Sequence, residues 1–132
     1  MILIDTSVWI SFFSRSPSAR AGDLRDRLTG GERVAITGMI MQEVLQGSRS
    51  PAEFARLRSY LVPQRILQPR HSVLTFVEAA RIYAQCRWAG ITIRSSIDCL
   101  IAQIAIEHHV ALFHDDQDFE HMSTIIPKLI LA

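Results

Sequence analysis

The chain opens with Ile2-Leu3-Ile4, a run too short for a helix and too apolar for a strand with one wet face, and it breaks off at Asp5-Thr6-Ser7. A strand that is apolar on both sides must be covered on both sides, which is the situation of a strand in a parallel sheet between helices. The signature returns. Arg33-Val34-Ala35-Ile36, Ile66-Leu67 and Val110 to Phe113 are again short and apolar, and the stretches between them repeat their apolar residues every three or four positions. Parallel strands need long, usually helical, crossovers, and these intervals supply them. The expected architecture is therefore α/β: a single-domain α/β/α sandwich with a mainly parallel central sheet, formed by residues 1–132 as one unit.

The helical intervals can be placed more closely. Val8-Trp9-Ile10 and Phe12-Phe13 continue from the first strand into a helix, and Leu24 and Leu28 mark a second one closed by Gly30-Gly31. Thr37 or Gly38 caps a helix that turns Met39, Ile40, Val44 and Leu45 inward, with Gly47 expected as a left-handed stop. Ser50-Pro51-Ala52-Glu53 has the form of a capping box with proline at the first helical position. Between Ser72 and Trp88, the recurrence of Val73, Phe76, Val77, Ala80, Ala84 and Trp88 predicts that this stripe faces the core, and Gly90 ends the helix. Ser95 or Ser96 caps an apolar helix from Ile97 to His108, and Ile125 to Leu131 is expected as a closing strand.

Composition narrows the function classes. With 48% hydrophobic and 20% charged residues the chain is globular rather than disordered, and no apolar run is long enough to span a bilayer. The first residues carry no export signal, so the expected compartment is cytoplasmic. Cys86 and Cys99 lie in apolar helical patterns without metal-type spacing and read as reduced core residues. A net charge of +1 excludes the strongly basic signature of many nucleic-acid binders, though Lys128 is the only lysine among fourteen basic residues. Arginine forks onto phosphate oxygens, so the bias fits a phosphate-rich partner as well as it fits a solvated surface.

Four acids stand where chemistry is expected. In an open parallel sheet ligands bind beyond the carboxyl ends of the strands, and Asp5 and Asp115-Asp116 follow two of the apolar runs. Glu43 lies in a helix otherwise made of Met39, Ile40, Met41, Val44 and Leu45, and Asp98 begins one that continues Leu100-Ile101-Ala102. Each has a plain structural account: Asp5 as a helix cap, Asp98 favoured by the helix dipole, Glu43 paired with an arginine or facing solvent, Asp115 to Asp118 as a surface turn. Gathered at one sheet edge, however, they would repel one another by about 4 kcal/mol per pair at 4 Å and an effective dielectric near 20. A divalent cation on hard oxygen ligands, Mg2+ or Mn2+, would relieve that repulsion.

The order of these motifs, Ile4-Asp5-Thr6-Ser7-Val8-Trp9, then Glu43, then Ser95-Ser96-Ile97-Asp98-Cys99-Leu100-Ile101-Ala102, then Asp116-Gln117-Asp118-Phe119, resembles the PIN-domain ribonucleases, in particular the VapC-like toxins of toxin-antitoxin pairs. The resemblance covers essentially the whole chain. It implies that Asp5, Glu43, Asp98 and Asp116 form the catalytic, metal-ligating set, with Thr6 and Asp118 as auxiliary candidates. It further implies hydrolysis of RNA by a metal-activated water, a homodimer, and a cognate antitoxin that covers the site. His114 stands where relatives often carry threonine or serine, and Asp115 is an additional acid, expected to be merely exposed.

Other readings remain open on sequence grounds. A non-catalytic binding module on the same scaffold would keep the acids without the activity. A phospho-accepting receiver would need an acid pair after the first strand and a suitably placed late lysine, whereas Asp5 stands alone and Lys128 lies near the end. An Asp-x-Asp phosphatase is contradicted by Ser7 in the second acid position. Zinc on His114 and His121 with Asp116 or Asp118 lacks a further nitrogen or sulfur ligand of matching spacing.

Overall fold

The structure, a computed structural model, describes all of residues 1–132. In chain order it runs β1 (Ile2–Ile4), α1 (Thr6–Phe12), α2 (Ala19–Thr29), β2 (Val34–Thr37), α3 (Gly38–Gln46), α4 (Pro51–Leu61), β3 (Arg65–Leu67), α5 (Leu74–Trp88), α6 (Ser96–Glu107), β4 (Ala111–Phe113) and α7 (Gln117–Ile125). The four strands form one parallel sheet in the order β3-β2-β1-β4, with Ile2 opposite both Val34 and Ala111. β1 and β2 are buried at every position, as their unbroken apolar runs require. Helices α1 to α4 pack among themselves and α5 to α7 form a second group, giving the α/β/α sandwich.

Local chemistry sets most boundaries. The side chains of Asp5, Ser18, Thr37, Ser50 and Asp116 each accept a backbone N–H at the start of the helix they precede. Pro51 occupies the first turn of α4, while Glu53 pairs with Arg49 at 3.5 Å instead of closing the capping box on Ser50. Gly47 does not take the expected left-handed conformation (φ −81°); that geometry is found at Gly31 and Gly90, both at φ +86°, and at His109, at φ +53°. The core centres on Trp9, Phe113, Phe119, Leu3, Ile4, Ile36, Ile101 and Ile104, all fully buried. Replacing Ile101 by alanine is expected to cost about 2–5 kcal/mol in chemical denaturation without changing the fold.

Two larger expectations also fail. The stripe assigned to the core side of α5 is largely outside: Val73, Phe76, Val77 and Trp88 are 67%, 52%, 44% and 78% exposed. The helix buries Thr75, Ala79, Ile82 and Cys86 instead. Thr75 is acceptable there because its hydroxyl donates to Glu107 Oε1 (2.7 Å) and accepts the His71 N–H (3.2 Å). The second failure is the closing strand. Helix α7 runs on to Ile125, and beyond it only Leu131 forms a bridge, to Leu112. Pro127, which has no N–H to donate, interrupts the segment. Cys86 and Cys99 are buried free thiols, as read from the sequence.

Candidate active site

The chain passes from β1 outward through β2 to β3 and then crosses to place β4 on the other side of β1. The β1/β4 seam is therefore a topological switch point, the place in such sheets where a crevice opens at the carboxyl edge. Asp5 and Asp116 leave the sheet on these two strands, and the Asp5 N–H donates to Phe113 O at 2.9 Å. Asp5, only 4% exposed, caps α1: its Oδ2 accepts the Ser7 N–H (3.0 Å) and the Ser7 hydroxyl (2.6 Å). Asp116 does the same for α7 through Oδ1, which accepts the Asp118 N–H at 2.9 Å.

The other two acids arrive from the helical layers. Asp98 sits in the first turn of α6, where the helix dipole favours a negative charge. Glu43 on α3 accepts the Thr6 hydroxyl at 2.9 Å, so Thr6 commits its hydrogen to holding that acid. Carboxylate oxygens of Asp98, Asp116 and Asp118 lie within 4.8 Å of one another. Asp5 and Glu43 stand outside this tightest group, yet their charges reach Asp98. Of the four acids singled out in the sequence, the tight grouping contains Asp98 and Asp116, with Asp118 as its third member.

The electrostatics follow from that crowding. Burial, then the negative charges of Asp5, Asp116, Glu43 and Asp118, push the Asp98 carboxyl up to about 7. Asp5 is also raised, mainly by burial, against the hydrogen bonds from Ser7 that favour its ionised form. Burial acts against the Asp118 charge too, but the Arg94 backbone N–H and guanidinium more than offset it and hold that carboxyl below its ordinary value. Donors of this kind, all oxygen and short of positive charge, suit a hard divalent ion such as Mg2+ or Mn2+. Neither His114 nor His121 joins the group. His114 Nδ1 accepts the Asp116 N–H at 3.1 Å, and the buried ring turns Nε2 toward Glu120 at 3.3 Å, so the zinc reading finds no support.

Two contributors escaped the sequence reading. Ser7 is a joint: its hydroxyl donates to Asp5 and accepts the Asp115 N–H at 3.0 Å, tying the end of β1 to the loop after β4. Arg94 sits on the acids themselves, with Nη2 2.9 Å from Asp116 Oδ1 and Nε 3.0 Å from Asp118 Oδ2. A cation four residues before Asp98 was the available signal, but no periodicity marks it.

Residues 2–125 match the family model described as the PIN domain. Over 127 residues, 95% of this chain, it is 37% identical to the VapC ribonuclease Mb1587 of Mycobacterium bovis and to Ribonuclease VapC11 of Mycobacterium tuberculosis, covering 93% of each. In fold it is similar to the solved structure of VapBC2 from Rickettsia felis bound to a DNA fragment from their promoter, with a TM-score of 0.73, 20% identity and coverage of 100% of this chain and 98% of that one.

Proposed function

The chain belongs to the PIN domain family, and from that premise we infer that it is a ribonuclease of the VapC kind, the toxin of a toxin-antitoxin pair, cutting RNA with Mg2+ or Mn2+. The observation that carries the reading is geometric: carboxylate oxygens of Asp98, Asp116 and Asp118 lie within 4.8 Å of one another, and burial and this crowding of negative charge push the Asp98 carboxyl up. When bound, a divalent ion would supply Lewis acidity toward a phosphodiester and a water of lowered pKa.

The chain's own residues do the rest. Asp5, Asp98, Glu43 and Asp116 would hold the ion, with Thr6 keeping Glu43 in place and Ser7 keeping Asp5 in place. Their rigidity comes from where they stand. Two are helix caps at strand ends and one is in a helix's first turn, so little reorganisation is needed when charge develops on the phosphate. Asp118 is engaged by Arg94 and serves to orient the loop before α6.

Purified protein free of any partner is expected to cleave RNA with Mg2+ or Mn2+ and to stop with EDTA; cleavage that survives EDTA would refute the metal assignment. Within the cluster, Asp115 contributes only its backbone N–H and its side chain is exposed. Asp115→Asn is therefore expected to leave the cleavage rate within about twofold of the parent in an initial-rate assay.

An antitoxin partner fits the same reading, since the Rickettsia felis structure similar in fold is that of a VapBC assembly. A second copy of the chain is also part of the proposal. Phe76, Val77 and Trp88 on α5 leave apolar area uncovered that a homodimer would remove from water, and the mass in solution by light scattering checks it.

A further inference from the structure

Arg94 follows Ile93, which is 2% exposed and anchors the segment between α5 and α6. Its backbone N–H donates to Asp118 Oδ2 at 3.0 Å. Any residue at this position could make that bond, so fastening the loop to α7 does not by itself call for an arginine. The side chain nevertheless extends to the same carboxylate and on to Asp116, and it remains 72% exposed while doing so. Ordering an exposed arginine sacrifices rotamer freedom, so a purely structural role is a poor account of it. Nη1 makes no hydrogen bond and stays available. Among the ion pairs of the chain, only those of Arg94 reach the acids of the site.

A polyanion approaching Asp5, Glu43, Asp98, Asp116 and Asp118 meets repulsion that one divalent ion does not fully cancel. Taking the RNA-cleaving reading as given, we propose that Arg94 is a substrate-contact residue. Its guanidinium, aligned on Asp116 and Asp118 by Nη2 and Nε, donates from Nη1 to a non-bridging oxygen of the RNA phosphodiester that lies at the acid cluster. Three donors in one plane are what this requires: two to hold the fork in place and one to meet the phosphate. Lysine has the charge but not the fork. The contact reads backbone and carries no base preference.

The test separates binding from cleavage. In the full chain carrying Asp98→Asn, binding of a fluorescein-labelled oligoribonucleotide is followed by fluorescence anisotropy in Mg2+ over a range of salt. Adding Arg94→Gln is expected to weaken binding about tenfold and to reduce the slope of log K against log salt by about 0.7, the contribution of one phosphate contact on a single strand. Arg94→Lys should keep the slope and recover part of the affinity. An unchanged slope and affinity in Arg94→Gln would overturn the proposal. In otherwise unaltered enzyme, Arg94→Gln should raise KM for RNA with kcat within about threefold; a fall in kcat at constant KM would instead leave Arg94 as a holder of Asp116 only. Should the glutamine variant not fold, phenylglyoxal footprinting of the Asp98→Asn protein replaces it. RNA must then protect Arg94, and an unprotected Arg94 sinks the idea. Unaltered protein that fails to cleave RNA removes the nuclease reading, while the anisotropy still decides on Arg94.

Discussion

Asp98→Asn is expected to reduce RNA cleavage by about 1,000-fold or more while leaving the fold intact. Asparagine matches aspartate in shape, so the first turn of α6 keeps its packing among Cys99, Leu100 and Ile101. What it removes is the charge that a divalent ion would neutralise. The variant gives up the favourable helix-dipole contact, about 0.3–1 kcal/mol, and gains relief from burial and from the charges of Asp5, Asp116, Glu43 and Asp118. The metal-free variant should accordingly melt no lower than the parent near pH 8. Asp5→Asn should behave alike in cleavage, because its amide oxygen can still accept from Ser7. Circular dichroism alongside a gel-based cleavage assay checks both. Full activity in a folded Asp98→Asn protein would remove Asp98 from the catalytic set.

The second large effect is on stability and pH. In the folded chain Asp98 titrates at about 7, against 3.8 for an ordinary aspartate, so between these values the folded state holds the proton more tightly than the unfolded one. Stability must then fall as pH rises through that window and level off above it. A shift of this size corresponds to roughly 4 kcal/mol at 1.36 kcal/mol per unit, and the partial exposure of Asp98 reduces the expected loss to about 2 kcal/mol. In melting temperature that is roughly 6–10 °C for a chain of this size. Asp5, raised by burial, acts in the same direction. Asp118 and Glu107 act oppositely but elsewhere: both are lowered, so their stabilisation is lost only below the ordinary carboxylate range.

Saturating Mn2+ should invert the trend, because the ion binds ionised carboxylates and only in the folded chain, adding about 2.7 kcal/mol at a concentration one hundred times its Kd. Thermal melts at pH 5 and pH 8, with EDTA and with Mn2+, distinguish the cases. A metal-free protein more stable at pH 8 than at pH 5 would contradict the crowding of charge on which the site rests.

The acids were legible in the sequence because each sits beside a local signal. Asp5 and Asp116 end apolar runs, and Asp98 opens a helix whose cap and apolar continuation are adjacent to it. Helix α5 was legible as a helix but not in its orientation. Val73, Phe76, Val77 and Trp88 compete with Thr75, Ala79, Ile82 and Cys86 as apolar or near-apolar faces, and the second face lies against the rest of the core. Periodicity counts apolar residues; it does not count partners, and Thr75 is admitted inside only because Glu107 and His71, distant or displaced in the chain, satisfy its hydroxyl.

By itself, then, the order of residues determined the alternation of strands and helices, the parallel sense of the sheet and the positions where charge would stand at its edge. These depend on spacing within a few residues, where backbone geometry and capping chemistry act. The tertiary structure alone decided which face of α5 is covered, that Ser7 joins β1 to the loop after β4, and that Arg94 lies across Asp116 and Asp118. Those pairings link residues 22 to 108 positions apart, and hydrogen bonds and burial at such separations leave no period in the sequence.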